Sequence, residues 1–347
     1  MIDALFGGLT AGLGDGVVLQ QVLQRLLDPA TLSRLIVEGL GKAAVYFVIA
    51  IGLTLVFGLM GVLNFAHGAM SMIGAYLGGL LILFAVASST GPIVTIALFF
   101  VVAAVVFALL SVFGAAIEVG LVRTIYDRNP TYQILLTFGI SLILEEVTRI
   151  VATLHEIQPE PPWREPLGTL PQFLSTRYDV LGAQIRGLYM FEIVLGIVAV
   201  AGVWAFLNRT LYGLYIRAGS EDSEMVEALG IDVRRAFTIV FGLGTGLAGV
   251  GGVLLMWDPL WAPSVLLNIE VLLFAFVVVI IGGLGSFEGT VVAALIVGVA
   301  DSITTWLFTT GLVDFSGLTE VTVFVLLVVV LIVRPQGLFG VEEVGGH

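Results

Sequence analysis

The sequence contains no cysteine, which excludes disulfides, thiolate metal sites and thiol nucleophiles together. Histidine is almost missing: only His67, His155 and the final residue His347 occur, which argues against metal chemistry built on clustered imidazoles. Lysine occurs once, at Lys42, so all but one of the 14 basic residues are arginine. Charge itself is scarce, at 12% of residues, where soluble domains carry about a quarter. The formal net charge of −12 and a pI of 4.6 argue against nucleic acid as a partner. No G-x-x-x-x-G-K-[ST] stretch is present, so the chain has no P-loop with which to bind ATP. Residues 244–249 fit G-x-G-x-x-G, but they lie inside an apolar run with no preceding strand, and a dinucleotide site is discarded. No nucleophile–base pair or ligand cluster can be assembled. Catalytic residues, metals and cofactors are therefore expected to be absent, and an enzyme is disfavoured.

What the chain has in abundance is apolar length. Of 347 residues, 59% are hydrophobic, and the mean hydropathy is +1.10. A helical membrane span needs roughly 20 apolar residues. Runs of that kind occur at 39–62, 69–87, 93–116, 132–154, 188–207, 236–257, 271–284, 290–308 and 318–333. The fold expected is all-α, a polytopic membrane protein of about eight or nine spans. Residues 1–34 read as an N-terminal extension with helical spacing over 17–27, an interfacial helix stopped by Asp28 and Pro29. They lack the pattern of a signal peptide. Residues 35–340 form the membrane domain and 341–347 a tail. Within the domain, 155–185 is a Pro-rich loop and 208–235 a polar one. Arginines after the third and fifth spans, and Arg334, place those sides in the cytoplasm, with the N-terminus outside and the C-terminus inside. Glu38 and Lys42 are spaced for an ion pair at the mouth of the first span. Glu145 and Glu146 are spaced to pair with Arg149. Trp257 and Trp261 read as an interfacial aromatic anchor.

Two interruptions stand out. Residues 58–68 join two charge-free runs and contain Gly58, Gly61, Asn64, His67 and Gly68. Residues 282–289 form a second Gly-rich break with Gly282, Gly283 and Gly285. Irregular backbone at membrane depth is tolerated only where protein buries it or water lines it. Matching breaks in two halves are the best sequence pointer to a transporter's central path. Asn64, His67, Gly68, Gly282, Gly283 and Gly285 are therefore the candidates for the path or its gate. His67 either lines that path or replaces backbone partners freed at the bend, and the second is favoured. Glu118, Glu192, Glu270 and Asp301 sit alone in or beside apolar runs, facing either water or a neighbouring element. Gly242 with Gly246 and Ala248 with Gly252 are spaced as small-residue packing faces.

The polar loop also carries a short helical pattern. Ser220 is placed to cap it, Glu221, Asp222 and Glu224 to load its first turn, and Gly230 to end it. Met225, Ala228 and Leu229 fall on one face, which fits insertion into a groove on a partner. An ordinary connecting helix fits equally well.

The stretch IGLTLVFGLMGVLNFAHG over 51–68, followed by MIGAY over 72–76, closely resembles the signature of the branched-chain amino acid ABC transporter permeases of the LivH type. The likeness continues through TFG at 137–139, the loop at 216–231, GLAGVGG at 246–252, GGLGS at 282–286 and RPQGLFG at 334–340. It runs over most of residues 40–340 in the family's order. The resemblance implies a multi-pass permease subunit of the cytoplasmic (cell) membrane that translocates branched-chain or related amino acids. It also implies four partners: a second homologous permease subunit, two ABC ATP-binding subunits and an extracellular solute-binding protein. The loop with Arg217, Ser220, Glu224, Glu227, Ala228 and Gly230 would then be the coupling element that docks on an ATP-binding subunit. Permeases for urea and short amides share much of this signature. A stand-alone, ion-coupled transporter using the lone acids is the competing class. The extension at 1–34 and the long 155–185 loop are departures from the family pattern.

Overall fold

The computed structural model describes residues 24–340, apart from 88, 89, 127, 222, 260, 312, 314 and 316. The interfacial helix expected over 17–27 lies mostly outside these residues, and the tail 341–347 does so entirely.

Helix α1 runs from Pro29 to Met60. It begins ten residues before the expected span because Asp28 and Pro29, where the helical residues 24–26 stop as expected, also start a helix. The Asp28 carboxylate accepts from the Thr31 amide at 3.1 Å, and Pro29 occupies the first turn, where its missing N–H costs nothing. Apolar on every side, α1 is the central element, with 83% of its spanning window buried. Around it stand α2 (His67–Ala85), α3 (Pro92–Gly120) and α4 (Pro130–Leu154). A segment of short elements follows: a 3-10 turn, α5 (Gln172–Ser175), and a hairpin of β1 (Arg177–Val180) with β2 (Ala183–Arg186). Next come α6 (Gly187–Arg209), α7 (Leu211–Glu221), α8 (Ser223–Ala228), α9 (Val233–Leu255), α10 (Leu267–Gly282), α11 (Phe287–Thr309) and α12 (Leu318–Val333). Among the described residues six of these helices are long and apolar enough to cross a membrane, and the shorter apolar α10 and α12 bring the number to eight, against the expected eight or nine.

The small-residue faces do what their spacing predicts. A Cβ on Gly252 of α9 would overlap the Ser71 carbonyl oxygen of α2, and one on Gly246 would overlap the Ser111 hydroxyl of α3. A Cβ on Gly244 would lie 2.6 Å from the carbonyl oxygen of Gly52 on α1. Without a hydrophobic drive between helices in lipid, such close approach maximises dispersion contacts.

Two expected surface features prove to be internal ones. Trp257 is 1% exposed, stacks on Phe99 with ring centroids 4.7 Å apart, and donates from Nε1 to Thr169. It is therefore a core residue rather than an interfacial anchor. Lys42 is buried, and a buried ammonium needs a buried carboxylate. It bonds Asp301 on α11 at 2.8 Å, leaving Glu38 to pair with Arg34 one turn earlier. The early start of α1 is what supplies Arg34.

The 155–186 segment folds back onto the bundle, as expected, but includes the hairpin. Leu181 and Gly182 both have positive φ, the geometry of a two-residue hairpin turn. The Trp163 amide donates to Pro263 at 2.7 Å, and the Val265 amide to Pro159 at 2.9 Å.

Candidate functional site: two helix breaks and the segment beneath them

The first break opens where α1 ends. Gly61 takes φ +64 and returns its N–H to the Phe57 carbonyl, a turn that favours glycine. The chain then runs without regular structure to His67, the first residue of α2. Asn64 and His67 are both 0% exposed. The Asn64 side-chain oxygen accepts from the Ala66 amide at 3.1 Å, and His67 Nε2 donates to the Ile49 carbonyl at 2.8 Å. Asn64 thus serves the backbone of the bend, whereas His67 ties α2 to the body of α1, and the buried Asn64 Nδ2 and His67 Nδ1 make no hydrogen bond among the described residues. Gly68 has its own reason to be small, since a Cβ there would overlap the Asn268 carbonyl oxygen of α10.

The second break follows α10. Gly283 and Gly285 take φ +102 and +83, and Ser286 caps α11 by accepting from the Gly289 amide at 3.0 Å. Gly282 packs on the Gly289 backbone. The RPQGLFG segment docks here: the Leu338 and Phe339 amides donate to Ile281 and Gly282 at 2.8 and 3.0 Å. That segment therefore completes the hydrogen bonding of carbonyls at the end of α10.

The two breaks meet. A Cβ on Gly58 would lie 2.9 Å from the Gly285 Cα, so the backbones touch with no side chain between them. Beside this contact is a cavity of 180 Å³ with a mixed polar and apolar wall. Thr54 and Gly58 of α1, Asn208 of α6, Arg217 and Ser220 of α7, and Gly285 all border it. Gly285 and the coupling candidates Arg217 and Ser220 are therefore neighbours, although far apart in sequence. Thr54 and Asn208 were not singled out from the sequence. Thr54 lies 2.7 Å from Thr290 of α11, and Asn208 accepts from Arg217 at 3.1 Å. A threonine inside a charge-free run was the available signal for the first.

The coupling segment differs from expectation in one respect. It forms two helices, and Ser220 lies in the last turn of α7 with its hydroxyl donating to the Arg217 carbonyl at 2.8 Å. It is not an N-cap, because α7 already runs through it. Gly230 does end α8 with φ +82, and its amide donates to Glu227 at 2.9 Å. Val226 is buried, while Met225, Glu227, Ala228 and Leu229 are exposed. The segment thus has an anchored root and an open tip. The Glu224 side chain lies outside the described residues.

Two of the lone acids are engaged. Glu118 holds Arg123 at 3.0 Å and accepts from Tyr126 and Thr238. Burial, then the bond to Glu118, pushes the Tyr126 hydroxyl well above the usual phenol range. Asp301 binds Lys42, Tyr46 and Thr305. Glu145 and Glu146 pair with Arg149 as their spacing predicts. Among the described residues, no group of three or more His, Cys, Asp or Glu could hold a metal.

The model of the branched-chain amino acid transport system permease component family matches residues 35–334. The chain belongs to that family. It is similar to the high-affinity branched-chain amino acid transport permease protein BraD of Pseudomonas aeruginosa, with 29% identity covering 89% of this chain and 96% of the relative. LivH of Escherichia coli K12 is 28% identical over 88% and 95% of the two chains. A probable LivH of Methanocaldococcus jannaschii is 26% identical over 89% and 93%. The chain is thus an all-α, multi-pass permease that covers nearly the whole of these relatives.

Proposed function

We propose that this chain is one membrane-spanning subunit of an ABC importer that carries branched-chain amino acids across the cytoplasmic membrane. A second homologous permease subunit completes the path, two separate ATP-binding subunits supply the energy, and an extracellular solute-binding protein delivers the substrate. The observation that carries this reading is the meeting of Gly58, Gly285, Arg217 and Ser220 around one cavity. The exposed tip of α8 takes the push from a closing ATP-binding subunit. Its root at Val226 and the body of α7 pass that push to the contact between the two breaks. Backbone-to-backbone contact there transmits the displacement between α1 and the second break with no side chain to yield. Asn64 keeps the bent backbone hydrogen-bonded as this happens, and His67 holds α2 to α1 through the Ile49 carbonyl. An apolar interior suits aliphatic side chains. The engagement of Glu118 and Asp301 in fixed pairs removes two of the four acids that ion coupling would use.

The test is reconstitution of the complex with its binding protein in liposomes. Leucine uptake should require ATP inside the vesicle face that holds the ATP-binding subunits. Glu227→Arg and Gly230→Pro should each lose most uptake while ATP hydrolysis persists. Uptake that survives ATP depletion and collapses with an ion gradient would overturn the importer reading. Wild-type coupling in both variants would remove α8 from it, and preferential uptake of urea or acetamide over leucine would reassign the substrate.

A further inference from the structure

Helix α4 carries polar residues at every fourth position: Gln133, Thr137, Ser141, Glu145 and Arg149. At 3.6 residues per turn these form one drifting stripe along a helix that is otherwise mostly apolar, Glu146 and three threonines apart. The stripe is used along its length. The Thr137 hydroxyl accepts from the Phe65 amide in the first break at 3.2 Å. Ser141 donates to the Asn268 side-chain oxygen at 3.0 Å, and the Asn268 amide group donates to Glu145 at 2.9 Å. Arg149 binds Glu145 at 3.2 Å and reaches Glu160 in the 155–186 segment at 2.9 Å.

Glu145 is the member that these bonds leave open. One carboxylate oxygen is held by Asn268 and the other by Arg149, yet its side chain is 27% exposed. It lies roughly 13 Å from the end of α4, counting 1.5 Å per residue, within the run 132–154 that the sequence marks as a span. A carboxylate cannot face hydrocarbon at that depth without a cost of several kcal/mol, so this face borders water or protein. Leu142 and Phe138, three and seven residues earlier on the same side, are exposed, as are Ile269 and Leu273 of α10. An oriented carboxylate above an apolar floor is the complement of an ammonium on an aliphatic stem. Arg149 does not cancel it, because one guanidinium is shared among Glu145, Glu146 and Glu160.

We propose that the α4–α10 face lines the translocation path and that Glu145, positioned by Asn268, is the residue that meets the substrate's α-ammonium. This assignment rests on the importer reading above. It moves substrate recognition within the membrane from Asn64 and His67 to α4.

The test uses the complete complex in nanodiscs, without the binding protein, and displaces labelled leucine with two half-molecules. 3-Methylbutylamine keeps the ammonium and 4-methylpentanoate keeps the carboxylate. The amine should compete about tenfold better, the equivalent of one charge-assisted hydrogen bond. Glu145→Gln should erase the preference, Glu145→Asp should keep part of it, and Glu146→Gln should keep all of it. Equal competition by the two probes on the wild type overturns the proposal even if Glu145→Gln fails to assemble. So does a preference that survives Glu145→Gln. Absence of ATP-driven leucine uptake by the wild-type complex would instead overturn the importer reading beneath it.

Discussion

Helices α1, α9 and α11 and helix α4 belong to one chain and one solvent, yet they are held in opposite ways. In the first group, backbones approach until no Cβ fits: Gly52 on Gly244, and Gly298 on Ala43. Where a charge is enclosed there, it is paired outright, as Lys42 is with Asp301. Helix α4 has no such contact. Its Gly139 has open space where a Cβ would go, and Leu135, Ile143, Val147 and Ile150 are exposed. It is attached by its polar stripe to Phe65, Asn268 and Glu160. Lipid gives no hydrophobic drive between helices, so both solutions are needed: dispersion through small residues, and hydrogen bonds. The first is intolerant of displacement, because packed interfaces lose contact over a fraction of an ångström. The second is directional but individually weak, and its bonds can be exchanged for bonds to water or substrate. The difference divides a frame from a more loosely attached wall.

The most damaging change to the frame should be Asp301→Ala. It leaves the Lys42 ammonium buried without a counter-charge, which in comparable cases costs about 3–5 kcal/mol. The variant should lose most folded, monodisperse protein in mild detergent. Replacing both partners, in Lys42→Met/Asp301→Leu, should recover much of that loss, since a buried pair exchanged for apolar volume is often neutral. A single variant that melts with the wild type would place the pair outside the frame.

Glycine substitutions give the next effect and separate the two regions directly. Gly252→Ala pushes a methyl into the Ser71 carbonyl of α2, backbone that has nowhere to go, and overpacking of this kind costs about 1–3 kcal/mol. Gly139→Ala on α4 meets nothing within 4 Å. It should be neutral or stabilise by about 0.5–1 kcal/mol through helix propensity. Thermal unfolding of the two variants side by side decides the matter. Equal destabilisation would mean that α4 is packed as tightly as the frame.

The frame was the more legible of the two in the sequence. Glycines spaced by four in an apolar run have one common use in membranes, so the Gly242–Gly246 and Ala248–Gly252 faces were readable. The breaks at 58–68 and 282–289 were readable because glycine and asparagine interrupt long charge-free runs. Their contact through Gly58 and Gly285 was not, since nothing local records which glycine meets which. Lys42 looked four residues back to Glu38, whereas its partner lies 259 positions away. Asp28 and Pro29 were legible as a stop, but nothing local records that α1 begins at once after it. The stripe on α4 was present at its period of four. Only its Glu145, Glu146 and Arg149 end drew attention, because ion pairs along one helix explain themselves without reference to Asn268.

The smallest effect is the most discriminating. Thr137→Val keeps the shape of the side chain and removes the hydroxyl that accepts from Phe65 and donates within its own helix to Gln133. Side-chain hydrogen bonds between membrane helices are worth about 0.6 kcal/mol on average, so global melting should shift little. The local effect should be larger than the global one. The Phe65 amide loses a partner in a stretch with no regular structure, and amide exchange over 63–66 should accelerate while exchange in α9 stays as in the wild type. A loss of stability as large as that of Gly252→Ala would mean that Thr137 is a packing residue of the frame and not one bond of several in a row. No acceleration at 63–66 would mean that α4 and the first break are not joined through this hydroxyl. The division between frame and wall would then have to be drawn elsewhere.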